Sequence, residues 1–191
     1  MTKVGGKVKN AIKLQPIYSA LDMQNFKNGL KLCNAAIAKA PNNDIVKSLK
    51  AVCLCKLGKD AEALDICSDI LLNKPVDTQI LEPCLIVFNH CGTHDLAAQM
   101  YETAFSKVPD DHHLAESYFF SVARLRDFSK MQQVGMKISK TFGDQRSIQW
   151  VVLSILLQGH EAGSRSLDLA EMMLRKAPIS FQGDRLKMDV G

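Results

Sequence analysis

The chain has 191 residues, 47% of them hydrophobic and 23% charged, a composition typical of a folded protein and not of a disordered one. It carries 24 basic and 20 acidic residues, which give a net charge of +4. Four lysines within residues 1–13 account for that charge, so the rest of the chain, its body, is neutral overall. The neutral body argues against specific nucleic-acid binding. The chain has six cysteines and shows neither a secretory leader nor an apolar run long enough to cross a bilayer. These features predict a cytoplasmic protein that is not embedded in a membrane.

Turn-forming residues recur along the chain at a nearly constant interval. Pro41, Pro75, Pro109, Gly143 and Pro178 follow one another at a spacing of about 34 residues. Proline and glycine are the residues that most often end helices and begin turns. The spacing therefore predicts five helix pairs, each ending at one of these residues.

Each interval contains a second turn signal near its middle, so ten helices are predicted. These signals are Asn25, Gly58-Lys59-Asp60, Gly92-Thr93, Asp127 and Gly163-Ser164. Between them apolar residues recur at helical and not at strand spacing, as in Leu96, Met100 and Ala104. No segment alternates as a strand would.

Polar residues at the predicted helix starts explain where the helices begin. Asn43-Asp44, Asp60, Thr93 and Asp110-Asp111 offer side-chain oxygens to the unpaired amides of a first helical turn. A helix of about 14 residues with one apolar face is marginal alone. We therefore expect each pair to be stabilised by stacking on its neighbours.

A helix pair of about 34 residues is typical of the tetratricopeptide repeat. The third repeat fits that pattern best, with Ala97, Tyr101, Ala104 and Pro109 at the expected spacing, whereas Gly135 stands where the fourth repeat should have an aromatic residue. The predicted fold is all-α, an α-solenoid of about five tetratricopeptide-like helix pairs in a right-handed superhelix. It should occupy residues 14–178, between a flexible basic arm (1–13) and a disordered tail (179–191).

An acetyltransferase would need a glycine-rich loop whose free amides bind the pyrophosphate of acetyl-CoA. The nearest match is residues 132–137, which read QQVGMK, but they lack the last small residue and fall in the middle of a predicted helix. His112-His113 after Asp110-Asp111 is better explained as a helix start than as an acid-base pair. We predict no catalytic residues and no cofactor in this chain.

Metal binding is suggested by four potential ligands that are close in sequence. Cys84, His90, Cys91 and His94 lie around the turn at Gly92, but no second pair with the spacing of a structural zinc site accompanies them. The thiols of Cys53-x-Cys55 would point about 200° apart around a helix. We expect no metal site, the cysteines being small apolar core residues.

Three segments have sequences that the general tetratricopeptide pattern does not require. Residues 14–22 read LQPIYSALD, residues 49–59 begin LKA and end LGK, and residues 130–136 read KMQQVGM. They resemble the auxiliary subunit of the N-terminal acetyltransferase B (NatB) complex, the Mdm20-type proteins. Proteins of that family continue well beyond this length, so the sequence is consistent with a fragment or a truncated gene model.

The resemblance implies a non-catalytic scaffold that wraps a small GNAT-fold catalytic subunit. Acetyl-CoA and the chemistry would belong to that partner, which acetylates nascent chains starting with Met followed by Asp, Glu, Asn or Gln. By resemblance to tetratricopeptide proteins generally, the partner-binding face is formed by the first helix of each pair. Its exposed positions would be Gln79, Glu82, Asn89, His113, Glu116 and Phe120.

Two alternatives concern the basic residues. A generic tetratricopeptide interaction module, such as a co-chaperone clamp for acidic C-termini, would use Lys47, Lys50, Arg124 and Arg126 of the first helices. The arm lysines Lys3, Lys7, Lys9 and Lys13 would either bind the ribosome through its phosphates or form a solvated, disordered tail.

Overall fold

The computed structural model describes residues 13–143 and 145–162, together with residues 168 and 172, and its elements in that part of the chain are helices without strands. They are α1 (Gln15–Asp22), α2 (Phe26–Lys39), α3 (Asp44–Lys56), α4 (Asp60–Leu72), α5 (Thr78–Cys91), α6 (His94–Lys107), α7 (His112–Arg124), α8 (Phe128–Phe142) and α9 (Gln145–Ala162). The all-α prediction is confirmed. The tenth predicted helix, after Gly163-Ser164, lies outside the described residues except for residues 168 and 172, and residues 1–12 of the arm and the tail lie outside them entirely.

Polar side chains cap several of these helices, among them the predicted Asn43 and Asp111 and the turn residues Asn25 and Asp127. Asn25, Asn43 and Asp127 each accept a hydrogen bond from the amide three residues ahead, at 3.3, 3.1 and 2.9 Å. Asp111 Oδ1 accepts from the amides of His113 and Leu114. Each bond satisfies a donor that the first turn of a helix leaves unpaired.

Two predicted caps are wrong. Thr93 occupies the N-cap position of α6, but its hydroxyl donates to the carbonyl of Phe88 at 3.4 Å and so serves the end of α5 instead. Asp60 is the first residue of α4 and not its cap, which is Lys59 and has no side-chain bond to the helix. Asp60 therefore acts on this helix only through its charge near the positive end of the dipole.

The chain forms two compact units, Met1–Ser121 and Val122–Gly191. In the first unit α3 packs against α2, α4 and α5, and α5 packs in turn against α4 and α6. The helix α3 is consequently covered on several sides, and its residues 51–55 are all buried. Large aromatic side chains fill the later part of this unit, with Phe88, Tyr101, Phe105 and Phe119 almost completely buried.

In the second unit α8 packs on α9. The buried residues of α8 include Met131, Val134 and Ile138, and those of α9 include Val151, Val152 and Ile155. A single tryptophan at helical spacing among apolar residues is typical of a core position, but Trp150 is only half-buried. The apolar run 148–157 likewise buries one face of α9 and leaves Leu153 on the surface.

None of the helices in residues 13–143 and 145–162 is both long and apolar enough to cross a membrane.

A close approach between α2 and α3 gives a test of this packing. A Cβ atom added at the buried Gly29 would lie 2.9 Å from Sγ of Cys53, which is fully buried on α3. We expect Gly29→Ala to lower the free energy of unfolding by about 1–2 kcal/mol, because overpacking outweighs the gain of about 0.5–1 kcal/mol that alanine normally brings to a helix.

Urea denaturation of the purified chain measures this free energy. The control introduces Gly29→Ala into the Cys53→Ala background, where the obstructing sulfur is absent and the same change should be neutral or stabilising. An equal loss in both backgrounds would show that the two helices do not approach as described.

Candidate partner-binding surface

The helices α5 and α7, the first of their pairs, present exposed side chains at helical spacing. Gln79, Glu82 and Ile86 share one face of α5, since they are three and four residues apart. His113 and Phe120 are seven residues apart on α7 and are also exposed. We call these five residues the first-helix surface. Two large apolar side chains lie among them, with exposed fractions of 45% for Ile86 and 44% for Phe120.

A polar contact joins the two helices at this surface. His113 Nε2 lies 3.3 Å from Glu82 Oε1, and both side chains are about half exposed. A pair this exposed contributes at most about 1 kcal/mol, and it is ionic only when the histidine is protonated. Its main consequence is geometric, because it brings the predicted residues of α5 and α7 side by side.

Two of the six predicted positions are less accessible than the sequence indicated. Asn89 and Glu116 are half-buried, and the Asn89 Oδ1 atom is fully buried without a hydrogen-bond partner in the described part of the chain. Asn89 lies three residues after Ile86 and so near the same face of α5, but its side chain is more covered than that of Ile86. That any of the six residues contacts a partner stays a prediction.

The ring of Phe120 packs against the ring of Phe119, the preceding residue. The two rings meet edge to face, with centroids 5.6 Å apart and planes at 80°, and Phe119 is fully buried. Edge-to-face pairs of aromatic rings are favourable beyond the area they bury. The exposed ring is thus positioned by the core beneath it.

A groove of about 420 Å³ lies beside Ile86 and is lined by α1, α3 and α5 and by Phe26 at the start of α2. Its apolar lining includes Tyr18, Leu21, Val52 and Pro83, and its polar lining comprises Asp22, Gln24, Lys56 and Glu82. Burial, followed by the nearby charges of Asp77 and Glu82, raises the pKa of the Tyr18 phenol above its usual value. The phenol therefore stays a neutral hydrogen-bond donor at the groove.

Pro83 changes the backbone of α5 next to the same groove. It stands inside the helix and has no N–H to donate to the carbonyl of Gln79, four residues earlier. Pro83 therefore removes one hydrogen bond of the α5 ladder next to the groove.

Sequence reasoning missed Ile86 and the groove residues Tyr18 and Leu21. Ile86 follows Glu82 by four residues, so helical spacing alone was a sufficient signal, but its apolar character suggested the core. The groove had no such signal, because its residues come from four helices and meet only once the repeats have stacked.

Residues 132–137 and Asp111, which were weighed for enzyme chemistry, are part of helical structure. Residues 132–137 lie within α8, and Gly135 is buried there, so the expectation that this run is mid-helix is confirmed. Its amides belong to helical hydrogen bonding and do not form a phosphate-binding loop. Asp111 caps α7 through the amides of His113 and Leu114. Lys47, one of the predicted clamp residues, is paired with Asp44 of its own helix at 3.2 Å.

The cysteines occur in pairs that join different helices. Cys33 of α2 contacts Cys53 of α3, Cys67 of α4 contacts Cys84 of α5, and Cys55 of α3 contacts Cys91 of α5. Cys53 and Cys55 therefore face different neighbours, as their spacing predicts. Within the described residues the set Cys84, His90, Cys91 and His94 does not converge on one point.

The family model described as "Psidin, N-terminal TPR repeats region" matches residues 12–182. The chain belongs to this family. Two similar relatives carry NatB names. The N-terminal acetyltransferase B complex auxiliary subunit NAA25 of Arabidopsis thaliana is 36% identical over 172 residues, which cover 86% of this chain and 16% of that protein. The human N-alpha-acetyltransferase 25, NatB auxiliary subunit, is 30% identical over 173 residues, which cover 87% of this chain and 18% of that protein.

Solved structures agree on the fold of this Psidin-family chain. A chain in the structure of Naa15/Naa10 bound to HypK-THB matches with a TM-score of 0.63 at 20% identity, covering 85% of this chain and 24% of its own length. A tetratricopeptide repeat protein from Parabacteroides merdae matches with a TM-score of 0.57 at 16% identity, and the match covers 90% of this chain and 68% of that protein's chain. The helical-repeat fold predicted from the proline spacing is thus confirmed. The chain spans only 16–18% of the length of the two NatB relatives.

Proposed function

We propose that this chain is a non-catalytic scaffold segment of a NatB complex, and that its first-helix surface contacts the catalytic subunit. The proposal is supported by membership of the Psidin N-terminal family and by the NatB names of the relatives. It concerns the part of those proteins that this chain covers. The remaining length of a NatB auxiliary subunit would add further contacts to the same partner.

The observation that carries the proposal is the composition of the first-helix surface. Ile86 and Phe120 are large apolar side chains that remain exposed in the folded chain, and Gln79, Glu82 and His113 provide polar groups around them. Protein interfaces combine an apolar centre with a polar rim, and aromatic residues are frequent among the strongest contacts. A peptide clamp for acidic C-termini would instead require basic residues at these positions.

Catalysis would lie entirely in the partner. The catalytic GNAT-fold subunit would bind acetyl-CoA and acetylate chains that begin with Met followed by Asp, Glu, Asn or Gln. Such chains emerge from ribosomes in the cytoplasm, which is where we place this protein. The contribution of the repeat array is to hold the enzyme near its substrate, which raises the effective concentration without new chemistry.

Replacement of the two exposed apolar residues tests this proposal. In the purified chain we expect Ile86→Asp or Phe120→Asp to weaken binding of the NatB catalytic subunit from the same organism by about tenfold or more, because a carboxylate cannot be accommodated at an apolar contact without loss of its hydration. Surface plasmon resonance measures the dissociation constant.

Leu72→Asp is the matched control, because Leu72 is 79% exposed and belongs to α4, the second helix of its pair. It should bind like the unchanged chain. Circular dichroism confirms that the variants stay folded. Equal affinities for all three variants and the unchanged chain would contradict the role of this surface, and absence of any binding would contradict the NatB assignment of this segment.

We also propose that the basic arm binds ribosomal RNA. Lys13 is exposed at the start of the described chain, and Lys3, Lys7 and Lys9 lie outside the described residues. Lysines that neutralise phosphates release bound counterions, so such binding weakens steeply with salt. The support is the concentration of the net charge in this arm, next to an otherwise neutral body.

Co-sedimentation with ribosomes tests the arm. Replacing the four arm lysines by serine should abolish sedimentation at low salt, whereas serine at the four exposed lysines 27, 31, 39 and 56 should leave it largely intact. We expect the binding of the unchanged chain to fall as salt rises, with a logarithmic slope of up to about 4. If both quadruple variants sediment equally well, the arm is only a solvated tail.

A further inference from the structure

A cluster of potential metal ligands lies where the ends of three helices meet. Cys55 is in the last turn of α3, Asp60 is the first residue of α4, and Cys91 is the last residue of α5. The two sulfur atoms and a carboxylate oxygen of Asp60 all lie within 4.8 Å of one another. In the part of the chain that the structure describes, this is the one group of three such residues that converges on a point.

A fourth group supports the cluster from its open side. His90 Nε2 is 3.8 Å from Oδ1 of Asp60, and both side chains are about half exposed. Carboxylates that bind a metal are commonly hydrogen-bonded to neighbouring groups that orient them, and His90 is close enough to Asp60 to approach such a bond. Cys55 is fully buried and Cys91 partly exposed, so the cluster has a closed inner side and an opening to solvent.

The three groups of the cluster share one small space. Two thiols and a carboxylate lie within 4.8 Å of one another, and Cys55 is fully buried. All three groups bind a metal as anions, so a divalent cation is the simplest charge that compensates them.

The ligand chemistry selects the ion. Thiolate sulfur is a soft ligand that favours zinc over magnesium and calcium, which prefer oxygen alone. Zinc accepts two thiolates and a carboxylate in a tetrahedral site and leaves the fourth position to water. We propose that Cys55, Asp60 and Cys91 bind Zn²⁺, with His90 as the residue that positions Asp60.

Such an ion would connect consecutive repeats. Its ligands come from the second pair (α3 and α4) and from the first helix of the third pair (α5), and Cys91 follows Cys55 by about one repeat length. On binding, both thiol protons are released to solvent while two sulfur–zinc bonds form, so no oxidant or reductant is needed. The ion would fix the end of α5, whose opposite end carries Gln79 and Glu82.

Co²⁺ is a spectroscopic probe for this site because it takes zinc positions and reports thiolate ligands by absorption. The full chain, freed of metal and with all six thiols reduced, should bind one equivalent of Co²⁺ with a charge-transfer band and intense tetrahedral bands, and Zn²⁺ should displace it. Cys55→Ala and Cys91→Ala should abolish these bands. Asp60→Asn and His90→Gln should each weaken binding by about tenfold or more.

Cys67→Ala is the matched control. Cys67 and Cys84 are another contacting pair between neighbouring helices, and they are not part of a convergent group of metal ligands in the described residues. This variant should retain the spectrum. Because Cys55→Ala removes a buried side chain, circular dichroism must accompany it, and the more exposed Cys91 and Asp60 variants decide the matter if it unfolds.

Three results would overturn the proposal. The first is failure of the reduced chain to bind Co²⁺ or Zn²⁺ at all, and the second is an unchanged spectrum in Cys91→Ala and Asp60→Asn. The third is a disulfide between Cys55 and Cys91, found by mass spectrometry in protein purified without exposure to air, which would assign the pair to a covalent link instead.

Discussion

The packing of α3 against three other helices is the interaction on which the rest of the first unit depends. A helix of 13 residues is marginal alone, and this one is buried from Ala51 to Cys55 without interruption. Its Cys53 side faces Gly29 of α2 and its Cys55 side faces Cys91 of α5. The position of α5 therefore follows from α3, and with it the position of Glu82 and Ile86.

The same dependence links the fold to the proposed function. With α5 in place, Glu82 lies beside His113 of α7, and Phe120 packs against the buried Phe119. The two exposed apolar side chains, Ile86 and Phe120, thus belong to one surface of the folded chain. A scaffold needs such pre-arranged contacts, because a surface ordered before binding loses less entropy when the partner arrives.

The fold was largely predictable from the sequence because its signals are local. Proline spacing, helical periodicity and the caps Asn43 and Asp111 each depend on residues within one turn or one repeat. Thr93 shows the limit, since its hydroxyl could serve either the helix before it or the one after it, and only the turn geometry decided between them. Trp150 shows another, because helical spacing does not reveal how closely the neighbouring helix covers a side chain.

The surface and the cysteine cluster were less predictable because they depend on contacts between repeats. Ile86 had the right spacing but looked like a core residue. Cys55 and Asp60 were separated from Cys91 by about one repeat, so their convergence depends on the register in which α3, α4 and α5 pack. The sequence instead drew attention to His94, which is near Cys91 in the chain but does not join that cluster.

Site-specific photo-crosslinking tests the central claim, that the first helices of the pairs face the catalytic subunit, most directly. A benzophenone amino acid would replace Ile86 on α5 or, in a parallel preparation, Leu72 on α4, and each chain would be irradiated with the NatB catalytic subunit. The account predicts a covalent product from position 86 and little or none from position 72. Crosslinking from position 72 alone would place the partner on the second helices and contradict it.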